Sequence, residues 1–213
     1  MKQRSALFGI VLVATFAWAV NGVSAQEAMP TQTPPAKPAQ PATTVQPAQP
    51  AATVQPTPVP PEANPADVGS IDAIVAALYD VISGPAGKKR DWDRMRSLFL
   101  PGARLIPSGP RPAGGHGARV GTVEDYISRS APFLEKEGFF EREIARKSDV
   151  FGNIAHVFST YDSRHKADDP KPFARGINSI QLMNDGKRWW IITVYWQGEN
   201  EKSPIPEKYL KNN

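Results

Sequence analysis

His156 and Asn178 fall in runs of sequence long and apolar enough to be the strands of a pocket wall. An imidazole titrates near neutral pH and serves as a general acid or base, and an amide N–H can polarise a carbonyl. Together they would give a lyase or isomerase, with His156 moving the proton and Asn178 as electrophile. Each has a plainer reading: His156 as a hydrogen-bonded core histidine, Asn178 as a partner for a backbone group. Side chains alternate along a strand, so Asn178 shares its face with Gly176, Ile180 and Leu182, and Trp196 shares its face with Trp190, Ile192 and Val194. His156, Phe158, Thr160 and Asp162 form a third set. Tyr79, in a helix, either points its hydroxyl into the cavity or packs as core. The expected ligand-binding wall is therefore Tyr79, His156, Phe158, Thr160, Asn178, Trp190 and Trp196. Asp162, near a strand end, reads as a solvated charge.

Other chemistries find no residues. With no cysteine in the chain, thiol nucleophiles, zinc–thiolate sites and disulfides are excluded. No His/Asp/Glu spacing argues for a metal; His165 with Asp168 and Asp169 is too little. The glycines of Gly114-Gly115-His116-Gly117 lack the lysine and preceding strand of a phosphate loop, and His116 belongs to a lid or an exposed loop. No cofactor is expected.

The elements that would position these residues begin at Ser70, an N-cap before Ile71, Ile74, Val75, Leu78 and Ile82 at helical spacing. Gly84-Pro85 ends that helix. Asp91 or the residues beside it start a second, shorter helix through Trp92, Met95 and Leu98-Phe99, stopped by Pro101-Gly102. Ala103 to Ile106 reads as a short strand and Pro107 to Gly121 as a loop. Thr122 with Asp125 opens a third helix in the manner of a capping box. After Gly138 the period becomes that of strands: Phe139–Lys147, Ile154–Arg164, Phe173–Met183 and Trp189–Gln197. Asn184-Asp185-Gly186 marks a tight hairpin. Helices followed by long antiparallel strands predict an α+β class.

The N-terminal third reads differently. Lys2 and Arg4 precede the apolar run Ala6–Val20, and Val23-Ser24-Ala25 has the small-x-small form of a cleavage site. That combination predicts a secretory signal over residues 1–25, too short to cross a bilayer, cleaved after Ala25, with no transmembrane segment remaining. Residues 26–66, dominated by Pro, Ala, Gln, Thr and Val, read as a disordered linker of extended polyproline character, with the globular domain at 67–213. The expected location is periplasmic or secreted. A formal net charge of +4 with no dense Lys/Arg block predicts no nucleic-acid partner. Arg175, Ser179 and Gln181 beside Thr193 and Tyr195 make a mixed polar–aromatic outer sheet face, suited to a homodimer.

Leu98-Phe99-Leu100-Pro101-Gly102-Ala103, Gly176-Ile177-Asn178-Ser179-Ile180-Gln181-Leu182 and Arg188-Trp189-Trp190-Ile191 after Asp185-Gly186 make residues 68–200 resemble the nuclear transport factor 2-like (SnoaL-like) superfamily. The resemblance implies a cone-shaped fold, three helices on a curved, mainly antiparallel sheet. Its isomerase branch carries a carboxylate base after the first short strand, where this chain has Leu105-Ile106-Pro107-Ser108. Its oxyanion tyrosine falls near Ala77, two residues from Tyr79; its second donor falls on Asn178 and a pocket aromatic on Trp196. The base is missing, which argues against that mechanism. The leading expectation is an exported domain binding a small apolar or aromatic molecule without defined catalysis. The alternatives are the His156/Asn178 enzyme and a dimeric envelope-interaction module.

Overall fold

The computed structural model describes residues 59–211; the expected signal peptide and most of the expected linker lie outside them. By its contacts the chain divides into residues 1–56 and 57–213, and the elements below all belong to the second unit. Its first helical turn, α1 (Pro65–Val68), starts inside the stretch read as linker. Asn64 caps it and Pro65 opens it, the place where a missing N–H costs nothing. The longer helices are α2 (Ile71–Ile82), α3 (Trp92–Leu98) and α4 (Val123–Glu137). Ser70, Asp91 and Thr122 cap them as the sequence predicts.

At α4 the capping box is reciprocal. The Thr122 hydroxyl accepts from the Asp125 N–H at 3.1 Å, and the Asp125 carboxylate accepts from the Thr122 N–H at 2.9 Å. Thr122→Ala is expected to cost about 1 kcal/mol, read as a lower urea midpoint with an unchanged slope.

Six strands form one curved, open sheet in the order β2-β1-β6-β5-β4-β3. They are β1 (Phe99–Pro110), β2 (His116–Ala118), β3 (Phe140–Phe151), β4 (Ile154–Arg164), β5 (Ala174–Asn184) and β6 (Trp189–Gly198). The class is α+β, as the change of period predicts. Two features differ from expectation. The short strand read at Ala103–Ile106 is the middle of the much longer β1, which pairs in parallel with β6 (Leu105 opposite Val194). The loop read at 107–121 contains β2, folded back on β1.

The core lies between the helices and one face of this sheet. Ile74, Val75, Leu78 and Met95 from the helices meet Val157, Ile180, Leu182 and Ile191 from the strands, all fully or nearly fully buried. Arg90, only 6% exposed, locks the helix ends. Its guanidinium donates to the carbonyls of Ile82, Gly84 and Leu134 at 3.0, 2.7 and 2.9 Å, and also to that of Lys88. The other sheet face is partly covered by residues 199–211. There Thr160 donates to the Tyr209 carbonyl at 2.6 Å, and the Tyr209 and Phe158 rings lie 4.9 Å apart.

Candidate functional site

Between α2, α4 and the inner face of the sheet lies a cavity of about 330 Å³. Its apolar wall comes from Leu78 and Ile82 of α2, Leu105 of β1, Phe133 of α4 and Val194 of β6. Tyr79, Tyr126, Tyr161 and Trp196 add aromatic surface, with the Tyr126 and Trp196 rings edge to face at 6.2 Å. One carboxyl, that of Glu141 on β3, lines the space beside the Asn178 amide.

Strand register explains which residues face inward. Asn178 stands opposite Trp196 on one side and Ser159 on the other, and Glu141 and Glu143 stand opposite Ser163 and Tyr161. Residues paired directly across an antiparallel sheet share a face, so all of these line the inner side. Gly176 is part of the same arrangement: a β-carbon there would come within 2.3 Å of the Tyr161 hydroxyl oxygen, so only glycine leaves room for that ring.

The polar groups form a directed chain. Ser159 donates its proton to the Glu143 carboxylate, so its oxygen accepts from Tyr79, 2.7 Å away. The Tyr79 hydroxyl has then spent its only proton, and its oxygen accepts from the Asn178 amide at 3.1 Å. Asn178 also hydrogen-bonds Glu141, which accepts in addition from Ser163 at 2.8 Å. Burial pushes the Glu141 carboxyl up to about 7; the hydrogen bonds from Ser163 and Asn178 pull the other way, and the nearby Asp162 charge adds to the rise. Burial, and then the Glu141 charge, also drives Tyr79, Tyr126 and Tyr161 upward, so the three phenols stay neutral. A carboxyl that changes charge near neutral pH inside an aromatic cavity can hold a polar group of a ligand or pass it a proton.

The expected wall is thus divided by the sheet. Tyr79, Asn178 and Trp196 meet in the cavity. His156, Phe158, Thr160 and Trp190 do not. The Ser159–Asn178 register turns the odd residues of β4 inward, which sends His156, Phe158 and Thr160 to the outer face. There the His156 Nε2 lies 3.0 Å from the Ser179 hydroxyl, Phe158 packs on Tyr209, and Thr160 is buried under the C-terminal segment. His156 and Asn178 therefore cannot act on one substrate atom. Trp190 is turned by a bulge at Ile192: Thr193 pairs with Gln181 but Ile191 with Leu182. This puts Ile191 in the core and Trp190 outside, under the Arg188 guanidinium at 3.6 Å, its indole N–H donating to Asp185 at 2.8 Å. Asp162 is not a solvated charge but a buried one, paired with Arg142 and Arg164. Among the described residues no three His, Asp or Glu side chains are grouped to hold a metal.

Glu141, Glu143, Tyr126, Ser159 and Tyr161 are not foreseen from sequence. In Glu141-Arg142-Glu143-Ile144-Ala145-Arg146-Lys147 both strand faces carry charge, which reads as a solvated strand. The available signal is the phase of Glu141 and Glu143, two residues apart and hence on one side.

No family model matches the chain, and no curated relative does. Among solved structures it is similar to a cystatin-like-fold protein of unknown function from Nostoc punctiforme, at 12% identity over 62% of this chain and 90% of that one, with a TM-score of 0.47. It is also similar to a nuclear transport factor 2-like protein of unknown function from Shewanella baltica, at 14% identity over 62% and 92%, TM-score 0.42. A nuclear transport factor 2-like superfamily protein from Salmonella enterica gives 15% identity over 62% and 87%, TM-score 0.42. No residue role passes from any of them to this chain.

Proposed function

We propose that this domain, helices closing a curved sheet on the nuclear transport factor 2-like plan, binds a small, mostly apolar molecule with one polar group that reaches Glu141 and Asn178. The observation that carries the reading is the aromatic cavity with a single carboxyl in its wall, poised to change charge near neutral pH. A space of about 330 Å³ suits a ligand of one or two rings or a short branched chain. The same proposal puts the domain outside the cytoplasm on a proline-rich tether, supported by Lys2, Arg4, the Ala6–Val20 run and Val23-Ser24-Ala25. A homodimer through the outer sheet face would have to form around the C-terminal segment packed there.

Acid–base chemistry is the second reading, favoured by one observation: Glu141, not His156, is the titrating group that faces the cavity. Because the Tyr79 proton is committed to Ser159, the tyrosine offers no hydrogen bond to a developing oxyanion. Donation from Tyr79 to an oxyanion in the cavity would first require its hydrogen bond with Ser159 to break.

Titration with 2-naphthol, a two-ring probe with one hydroxyl, tests the proposal by fluorescence. Saturable binding is expected, weakened about tenfold or more by Trp196→Ala and unchanged by His156→Ala. Binding that is absent, or indifferent to Trp196→Ala, removes the reading.

A further inference from the structure

Glu143 does not line the cavity. It opens on a separate charged groove with Arg142, Arg146 and Arg164, where two nitrogens of Arg146 hold its Oε1 at 2.6 and 2.7 Å. A carboxylate paired in this way only accepts hydrogen bonds, and that fixes the direction of every bond leading from it to the cavity. Ser159 gives its one proton to Oε2 of Glu143. Tyr79 must then donate to Ser159 at 2.7 Å, and the Tyr79 oxygen must receive from the Asn178 amide nitrogen at 3.1 Å. The second N–H of Asn178 goes to Glu141. Both amide protons are spent, and the Asn178 carbonyl oxygen is the group left over. It accepts no hydrogen bond among the described residues, and it is not sealed off either: the one fully enclosed side-chain atom without a partner among them is Ser148 Oγ. The amide therefore turns an acceptor, not a donor, toward the cavity that Asn178 lines.

A second polar group stands close by. Tyr161 is opposite Gly176, with its hydroxyl against that glycine, two residues from Asn178 on the same face. A phenol hydroxyl both donates and accepts. A ligand hydroxyl satisfies the two together, giving its proton to Asn178 and accepting from Tyr161. A ketone or an ether accepts from Tyr161 equally well but leaves the Asn178 oxygen without a partner, and an unpaired acceptor in an apolar cavity is costly. The donors of the wall thus serve hydroxyls and carbonyls alike, and Asn178 is the group that discriminates.

We propose that the cavity selects molecules whose polar group has a proton to donate, phenols or alcohols, over ketones and ethers of similar shape, and that Glu143 imposes this choice from outside through Ser159 and Tyr79. The proposal rests on the reading of the cavity as a binding site and names the class of molecule it takes. Glu143 is a positioning residue: it touches no ligand and acts through two hydroxyls and an amide. When the chain is cut or reversed, the Tyr79 proton is free to turn to the Asn178 oxygen. The amide can then rotate and present an N–H to the cavity, which favours ketones and ethers instead.

The test compares 2-naphthol with 2-methoxynaphthalene on the full chain at pH 6. Glu141 is then mostly protonated and able to give or take a hydrogen bond, so the direction of the chain is left to Glu143. The wild type is expected to bind the naphthol about tenfold or more tightly. In Glu143→Gln, whose amide can donate to Ser159, and in Ser159→Ala, which removes the relay, the ratio of the two dissociation constants is expected to fall to about threefold or less. The extra methyl of the ether is the same burden for all three proteins, so the change in ratio reads the direction of the chain, while damage to packing weakens both probes in step. Circular dichroism checks that the variants fold. If neither probe binds the wild type, the cavity reading itself fails and this proposal with it. If both bind equally well, the cavity reading stands and the choice of a donor is overturned. A wild-type preference that persists unchanged in both variants overturns the role of Glu143.

Discussion

Replacing Arg90 by alanine is expected to cost on the order of 3 kcal/mol or more of unfolding free energy, a large part of what holds a domain of this size together. The guanidinium is buried and carries its charge into a ring of carbonyls at the end of α2, the following turn and α4. A hydrogen bond from a charged donor contributes about 1.5–3 kcal/mol, and the carbonyls left behind would be cut off from water. Burial pulls the Arg90 pKa down, and the nearby Glu135 charge offsets this only in part. Lysine lacks the planar fork and is expected to recover only part of the loss. Urea denaturation of R90A and R90K checks this: a stability of R90A within about 0.5 kcal/mol of wild type would mean that the carbonyls find other donors.

Glu141→Gln is expected to stabilise the protein above neutral pH and to flatten its pH profile. The folded-state value of about 7 lies above the ordinary 4.5, so between those values the native state holds a proton that the unfolded chain has lost. Stability from this group is therefore highest below pH 4.5, falls through the window from 4.5 to about 7, and is lowest above it. The gap corresponds to roughly 3 kcal/mol at about 1.36 kcal/mol per pH unit, a ceiling because water in the cavity screens the charge. Glutamine keeps the shape and the hydrogen bond from Ser163 but cannot ionise. Thermal unfolding at pH 5 and pH 8 should show a large difference for the wild type and a much smaller one for Glu141→Gln. A wild-type profile as flat as that of the variant would place Glu141 in solvent and would remove the polar anchor from the cavity.

Much of the fold can be read from local chemistry. Ser70, Asp91 and Thr122 announce helix starts because short side chains reach the first free N–H groups. Asn184-Asp185-Gly186 announces a turn because Gly186 takes φ 92°, a conformation glycine adopts without strain. The site is legible only in part because it depends on how strands slide past one another. Nothing in Ile154–Arg164 alone says whether His156 or Ser159 stands on the face of Asn178; pairing with a separate strand, Ala174–Asn184, decides it. Alternation also fails at a bulge, and one extra residue at Ile192 is enough to move Trp190 outside. Glu141 escapes for a third reason. Its neighbours in sequence are charged, while the apolar surroundings that alter it come from α2, α4, β4 and β5.

The parallel pairing of β1 with β6 bears on when this domain can fold. Leu105 waits for Val194, so this ladder joins an early and a late part of the unit, and the loop-closure entropy must be met before that contact stabilises anything. A ribosome delivering the chain from its N-terminus exposes α2, α3 and β1 long before β6 exists. The newborn chain therefore cannot close this ladder until Val194 has been made, and the helices and β1 must wait without the strand that completes their sheet.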